Sequence, residues 1–257
     1  MIILQVPKLS FSIDMIIPII VAWSVMGISA ILVLIFSKIF SFSKEITGSL
    51  MLVAILTNSS FMGIPILNAY MGESAMPYVL VYDQLGTFIA LATYGTFIAS
   101  YYSNKNKLTF KIITLKVLTF PPFLSLVVAL FLMGVEFHPV ISKVLSSFAS
   151  TIVPIALVAV GLQLQFKLPR EDIKPFSFAL IIKLIIAPVI AIIICKIFGW
   201  NNQASIVSIM EAGMAPMITA GAIASMAGLA PRLSSAIVGY GVLISFITTA
   251  ILFKLIN

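Results

Sequence analysis

The sequence predicts an all-α polytopic membrane protein with about eight transmembrane helices. Of its 257 residues, 61% are hydrophobic and only 9% are charged, too few charges to cover the surface of a water-soluble domain. The mean hydropathy is +1.20. The charged residues fall mostly in short clusters, separated by apolar runs of about 20 residues, the length that crosses a roughly 30 Å hydrocarbon core as a helix.

This composition excludes a soluble enzyme, a nucleic-acid-binding protein and a disulfide-stapled secreted domain. The net charge of +7 is typical of basic loops beside anionic lipid. Cys195 is the single cysteine, so we expect no intramolecular disulfide and no thiolate metal site. The sequence has no HExxH motif, no serine and histidine pair at membrane depth and no intramembrane aspartyl-protease pattern, so we do not expect catalysis. We expect neither a metal nor another cofactor.

Apolar runs define the spans in chain order, and the linkers between them are too short to fold alone. The predicted spans are 15–37, 47–70, 76–102, 112–133, 146–165, 175–197, 203–227 and 233–254. Only four apolar residues precede Gln5, with no basic region before them, so we do not expect a signal peptide.

Lysine and arginine are distributed unevenly between the two faces of this arrangement. Nine or ten of them lie in the loops of one face and four in the loops of the other. The positive-inside rule makes the richer face cytoplasmic, with both termini outside, in a multi-pass protein of the cell membrane. The richer face carries Lys38, Lys44, Lys105, Lys107, Lys111, Lys116, Lys167, Arg170, Lys174 and Arg232.

Two spans contain residues that interrupt a helix near mid-membrane. These are Asn58, Ser59, Ser60, Gly63 and Pro65 in the second span, and Glu211, Gly213 and Pro216 in the seventh. Each proline removes a backbone donor and crowds the carbonyl four residues earlier, and each glycine lowers helix propensity further. The sequence therefore predicts two discontinuous helices, 47–70 and 203–227.

The two interrupted spans also indicate an inverted repeat. Asn58 lies 19 residues before Pro77, and Glu211 lies 20 residues before Pro231. The spans are five crossings apart, so they run through the membrane in opposite directions. We interpret 1–109 and 110–257 as the two repeats, an architecture typical of secondary transporters. Kinks that only serve packing are the alternative.

A motif in the first interrupted span carries a resemblance to a known family. Residues 58–65 read Asn-Ser-Ser-Phe-Met-Gly-Ile-Pro, which resembles the Asn-x-x-aromatic-x-Gly-x-Pro pattern of the auxin efflux carrier family. That family includes the plant PIN proteins and bacterial and archaeal proteins named malate or malonate permeases. Further similarity lies in Gly72-Glu73, Pro77-Tyr78, Tyr82-Asp83, Pro154 to Leu164, Lys183-Leu184 with Pro188, and Glu211 to Pro216.

The resemblance implies a secondary carrier that moves a small organic anion, a carboxylate, by alternating access. Family members usually have ten spans, with a transport domain that moves as an elevator against a scaffold and dimerisation domain. Here the resemblance assigns the transport domain to 15–102 and 175–257 and a reduced scaffold to 110–165, with the first two helices missing and a homodimer possible. A transport-inactive binding or sensory protein and an incomplete carrier are the alternatives.

Asn58 is the first candidate for substrate contact. Its amide both donates and accepts hydrogen bonds, and the resemblance places the substrate-contacting position here. Half-helix N-termini favour carboxylates, so we expect the backbone of both interruptions to complete the site. The remaining substrate-binding candidates are Ser59, Gly63, Pro65, Gly213, Met214 and Pro216. An Asn58 side chain that only satisfies broken backbone is the alternative.

Four other side chains at membrane depth are candidates for ion coupling or charge pairing. Ionised groups at this depth cost about 2.5–3.5 kcal/mol, so they are rare unless they are paired or functional. Glu211 is predicted to bind a proton or a cation such as sodium, and Lys183 to pair with it or attract the anion. Asp83 and Gln84 lie at a similar depth. The alternatives are a Lys183 side chain that reaches the cytoplasmic surface, a neutral hydrogen-bonded Glu211 and a helix-packing Asp83.

Overall fold

The computed structural model describes residues 2–5, 12–103, 121–151, 154–155, 158, 161 and 169–256. After one helical turn at Ile2–Gln5, the helices in these ranges are α1 (Ile13–Ile39), α2 (Lys44–Val53), α3 (Ile64–Met71), α4 (Glu73–Tyr102), α5 (Pro121–Phe131), α6 (Pro139–Ser150), α7 (Arg170–Ile197), α8 (Gln203–Ala212), α9 (Ile218–Met226) and α10 (Pro231–Ile256). Within the described residues, α1, α4, α7 and α10 are long and apolar enough to cross a membrane. The predicted all-α polytopic fold is confirmed.

The same order of helices occurs twice. A long helix, two half-helices and a second long helix follow one another as α1, α2, α3 and α4, and again as α7, α8, α9 and α10. Each first half-helix begins with a capping side chain, because Ser43 Oγ accepts from Ile46 N at 3.2 Å and Asn202 Oδ1 accepts from Ser205 N at 3.1 Å. The two discontinuous helices predicted at 47–70 and 203–227 are present.

The first interruption does not lie at Pro65, where the proline was expected to break the helix. The chain leaves the helix after Val53 and becomes helical again at a π turn, Ser59–Gly63, which leads directly into α3. The N–H of Gly63 closes this wide turn on the carbonyl of Asn58 at 3.1 Å. Pro65 then lies at the start of α3, directly after the π turn, and does not end the helix there.

The second interruption lies where the sequence predicted it. Helix α8 ends at Ala212, and α9 begins at Ile218. The non-helical segment between them contains Gly213 and Pro216. The two interruptions therefore differ in cause, since a proline lies inside the second and beyond the first.

Helix α6 begins earlier than the predicted span at 146–165. Its first residue is Pro139, and His138 caps it by accepting from Val140 N at 3.4 Å. A proline fits the first helical position because its fixed φ is preorganised for the helix. Two segments that include parts of predicted spans lie outside the described residues, namely most of 152–168 and the first nine residues of 112–133. The same is true of five basic residues, Lys105, Lys107, Lys111, Lys116 and Lys167.

Candidate functional site at the crossing of the broken helices

The two interruptions cross and pair through their backbones. Thr57 and Pro216 face each other in an antiparallel bridge. Asn58 N donates to the Ala215 carbonyl at 2.9 Å, and Met217 N donates to the Leu56 carbonyl at 3.0 Å. Backbone groups freed inside a membrane must find partners within the protein, and here each interruption supplies partners to the other.

Two side chains bind the carbonyls at the end of α8. Thr57 Oγ1 donates to the Glu211 carbonyl at 2.9 Å, and Lys183 Nζ donates to the Ala212 carbonyl at 2.9 Å. Pro216 stands four residues after Ala212 and has no N–H to offer that carbonyl. Lys183 is only 1% exposed, so its side chain does not reach the cytoplasmic surface. Its position at a helix C-terminus is favourable for a cation.

Asp83 binds the π turn that leads into α3. It lies in a π-helical segment of α4, Tyr82–Phe88. Ser59 Oγ and Ser60 Oγ both donate to Asp83 Oδ1 at 2.5 Å, and Gln84 Nε2 donates to Asp83 Oδ2 at 2.6 Å. The buried Asp83 carboxyl therefore accepts three hydrogen bonds near a helix N-terminus, where negative charge is favourable.

The Glu211 side chain lies near both Lys183 and Asp83. It is fully buried, and neither of its carboxylate oxygens has a hydrogen-bond partner. The carboxyl packs against Gly63 so closely that a Cβ at position 63 would lie 2.6 Å from Glu211 Cδ. Asp83 and Lys183 are the charged groups that act on it electrostatically.

Asn58 lies in the backbone pairing itself. Its side chain is 1% exposed, and Nδ2 has no hydrogen-bond partner among the residues that the structure describes. Gln84 Oε1 and Thr87 Oγ1 are likewise buried without partners. Thr87 was not among the predicted site residues. Its spacing of four residues from Asp83, which places both on one helix face, was the available signal.

The other predicted residues pack around the crossing. Pro216 contacts α10 at Gly241, where a Cβ would lie 2.5 Å from Pro216 Cδ. A Cβ on Gly213 would lie 2.8 Å from Leu252 Cδ2, and the fully buried Met214 belongs to a hydrophobic cluster with Leu67. The crossing thus assembles Asn58, Ser59, Gly63, Asp83, Gln84, Lys183 and Glu211, whereas Gly213 and Met214 pack against apolar neighbours. In the described residues, no group of three His, Cys, Asp or Glu side chains is arranged to hold a metal.

Residues 3–253 match the family of membrane transport proteins. The chain belongs to this family. It is similar to an uncharacterized transporter of Methanothermobacter thermautotrophicus, with 23% identity over 69% of this chain and 58% of the relative. It is also similar to an uncharacterized transporter of Methanocaldococcus jannaschii, with 25% identity over 68% of this chain and 58% of the relative. The match thus spans less than two thirds of either relative.

In this multi-pass membrane protein, several buried polar groups meet at the crossing of the two broken helices. The crossing offers one unpartnered amide donor, Asn58 Nδ2, and the unpartnered oxygens of Glu211. Lys183 and Asp83 lie close by, and each is hydrogen-bonded to a half-helix. Because a hydrogen-bond donor, hydrogen-bond acceptors and ionisable groups of both signs converge there, the crossing has the chemistry to hold a polar or charged solute.

Proposed function

We propose that the chain is a secondary active transporter, not an enzyme, that moves a small organic anion across the cell membrane by alternating access. The observation that carries the proposal is the buried Asn58 Nδ2, a hydrogen-bond donor without a protein acceptor, at the point where two broken helices cross. A buried donor left unpaired costs about 1–3 kcal/mol. A substrate carboxylate would accept from it and remove that cost.

The electrostatics of the half-helices support an anion. The start of α3 has its own negative group, because Asp83 accepts from Ser59 and Ser60 there. The start of α9 has no acidic residue in its first turn, so its partial positive charge is available to a ligand. We place the substrate carboxylate between Asn58 and the first turn of α9, with Lys183 adding positive charge nearby.

The proposed movement keeps the two broken helices together. We propose 15–102 and 175–257 as the moving transport domain and 110–165 as the scaffold, where a second copy would also dimerise. The backbone bonds between Leu56 to Asn58 and Ala215 to Met217 support this division, because they join both half-helix pairs into one body. The termini are proposed to lie outside the cell.

Uptake of radiolabelled mono- and dicarboxylates into proteoliposomes tests the proposal. Asn58→Ala is expected to abolish saturable uptake without lowering the melting temperature, since Asn58 Nδ2 contacts no acceptor among the described residues. Asn68→Ala is the matched control, because Asn68 is exposed on α3 of the same broken helix. Uptake by Asn58→Ala at the wild-type rate would contradict the substrate assignment. Carboxylate binding in detergent without any uptake would favour a transport-inactive binding protein.

A further inference from the structure

A second group of polar side chains lies beside the crossing. Ser59, Ser60 and Gln84 bind Asp83, and Thr87 follows Asp83 by four residues on α4; we name these five residues the Asp83 oxygen cluster. Three hydrogen bonds of 2.5 to 2.6 Å converge on the Asp83 carboxyl. Apart from the partly buried Ser60, these side chains are at most 3% exposed. All five provide oxygen, the atom preferred by hard cations.

Two oxygens of this cluster have no protein partner. Gln84 uses its Nε2 to bind Asp83, which holds the Oε1 of the same amide beside the carboxyl, yet Oε1 is unpartnered. Thr87 follows Asp83 by four residues in the π-helical segment, so it lies on the same face one turn later. Its fully buried Oγ1 is unpartnered as well. A single bound group that attracts oxygen lone pairs would satisfy both atoms.

A cation in the cluster would also balance the charge of the buried ionisable groups around it in the state in which all of them are ionised. Asp83, Glu211 and Lys183 are fully or almost fully buried. When all three are ionised, they leave one net negative charge at membrane depth, which is costly unless it is compensated. One monovalent cation compensates it, whereas a divalent cation would leave an excess of positive charge.

We propose that the Asp83 oxygen cluster binds a dehydrated monovalent cation of the size of sodium. Its ligands are the Asp83 carboxylate, the Ser59 and Ser60 hydroxyls, Gln84 Oε1 and Thr87 Oγ1. A proton fits less well, because it can satisfy only one of the two unpartnered oxygens, and the Asp83 carboxyl already accepts three donors. Each serine hydroxyl can offer a lone pair to the cation while its hydrogen stays bonded to Asp83.

Cation binding here would connect ion binding with substrate binding in the proposed transport cycle. Ser59 and Ser60 adjoin Asn58, the proposed substrate contact, and α4 supplies the other three ligands. An ion in the cluster fixes the start of the π turn relative to α4. The role as a coupling ion depends on the proposed function, but the binding itself does not and is measured without substrate.

Thermal unfolding of the purified full chain in detergent, followed by tryptophan fluorescence, tests the site. Sodium, potassium and choline chlorides are compared at constant ionic strength and without carboxylates. A ligand that binds only the folded state raises the melting temperature by mass action. We expect a saturable rise with sodium that choline does not produce. Equal curves in all three salts, or stabilisation by acid in place of sodium, would overturn the proposal.

Thr87→Val identifies the ligands, because it removes an oxygen that has no protein partner and preserves the shape of the side chain. We expect the variant to fold as stably as the wild type in choline. The sodium concentration for half-maximal stabilisation should rise at least about tenfold, as for loss of a metal-site contact. Ser37→Ala is the control, because Ser37 Oγ is also buried and unpartnered.

Ser37 is remote from the cluster. It lies on α1 roughly 22 Å beyond Ala22, the residue in contact with Gly86 of α4. An unchanged sodium response in Thr87→Val, or an equal loss in Ser37→Ala, would exclude the proposed ligand set. If sodium stabilises the protein but no carboxylate is transported, the proposed function is contradicted, whereas the proposed cation site is still supported.

Discussion

Lys183 donates a hydrogen bond to the Ala212 carbonyl at 2.9 Å, the carbonyl that faces Pro216 instead of an N–H. This buried lysine of the span predicted at 175–197 thus closes the end of a half-helix. This contact joins α7 to α8 and places a positive charge at a helix C-terminus. The cost of a charge at membrane depth is offset by a backbone group that has few other partners.

Lys183→Met is expected to destabilise the folded protein by about 1–3 kcal/mol, because it leaves a buried carbonyl without a donor. It also removes the positive charge near Glu211 and Asp83. The free energy of unfolding from denaturant titration in detergent measures the effect. Lys196→Met is the control, since Lys196 is exposed at the end of the same helix. Equal stability of the two variants would show that the bond to Ala212 contributes nothing.

Gly63→Ala is expected to destabilise the protein by about 1–3 kcal/mol through overpacking. The added Cβ would lie 2.6 Å from Glu211 Cδ, so the buried carboxyl must move. Uptake should fall in parallel, which the proteoliposome assay measures.

Gly27→Ala is the matched control for this substitution. Gly27 lies within α1, and a Cβ there meets nothing within 4 Å. Replacing a mid-helix glycine by alanine in open space stabilises a helix by roughly 0.5–1 kcal/mol. The two glycine substitutions should therefore shift the melting temperature in opposite directions, and shifts of the same sign would contradict the tight packing at Gly63.

Thr57→Val is expected to cost about 1–3 kcal/mol, because it deletes the donor to the buried Glu211 carbonyl while keeping the side-chain volume. Thermal unfolding measures the loss. Thr93→Val is the comparison, since the exposed Thr93 hydroxyl bonds only within its own helix, to Ile89. If the two variants have the same melting temperature, the contact between the two interruptions does not stabilise the crossing.

The proposed orientation is tested by single cysteines at opposite ends of α7. Glu171 lies in a loop predicted to be cytoplasmic, and Asn201 in one predicted to be outside; both are exposed. In a Cys195→Ser background, an impermeant thiol reagent added to intact cells should label Asn201→Cys and spare Glu171→Cys. Inside-out vesicles should give the reverse pattern. Labelling of Glu171→Cys in intact cells would invert the topology.

Both interruptions could be predicted from the sequence because proline, glycine and polar residues stand out inside long apolar runs. The location of the second also followed, since Gly213 and Pro216 act locally. The location of the first did not follow, because the helix ends at Val53, well before Pro65, and helical structure resumes at the π turn Ser59–Gly63. Pro65 lies just after that turn and does not end the helix.

The partners of the polar residues could not be predicted in the same way. Depth in the membrane indicated Lys183, Asp83 and Glu211, but hydropathy does not say which groups lie opposite. Lys183 was expected to pair with Glu211 or attract the anion, and its hydrogen bond goes to a carbonyl. Thr87 was missed because a threonine in an apolar helix is ordinary until its neighbours in space are known.

Two backbone hydrogen bonds join the two interruptions. The N–H of Asn58 donates to the Ala215 carbonyl, and the N–H of Met217 donates to the Leu56 carbonyl. Every amino acid except proline carries both kinds of group, and neither bond requires an N–H from Pro216. These two backbone bonds therefore do not depend on the identity of the side chains around them. The side chains around the crossing can therefore change one at a time while these two bonds are kept.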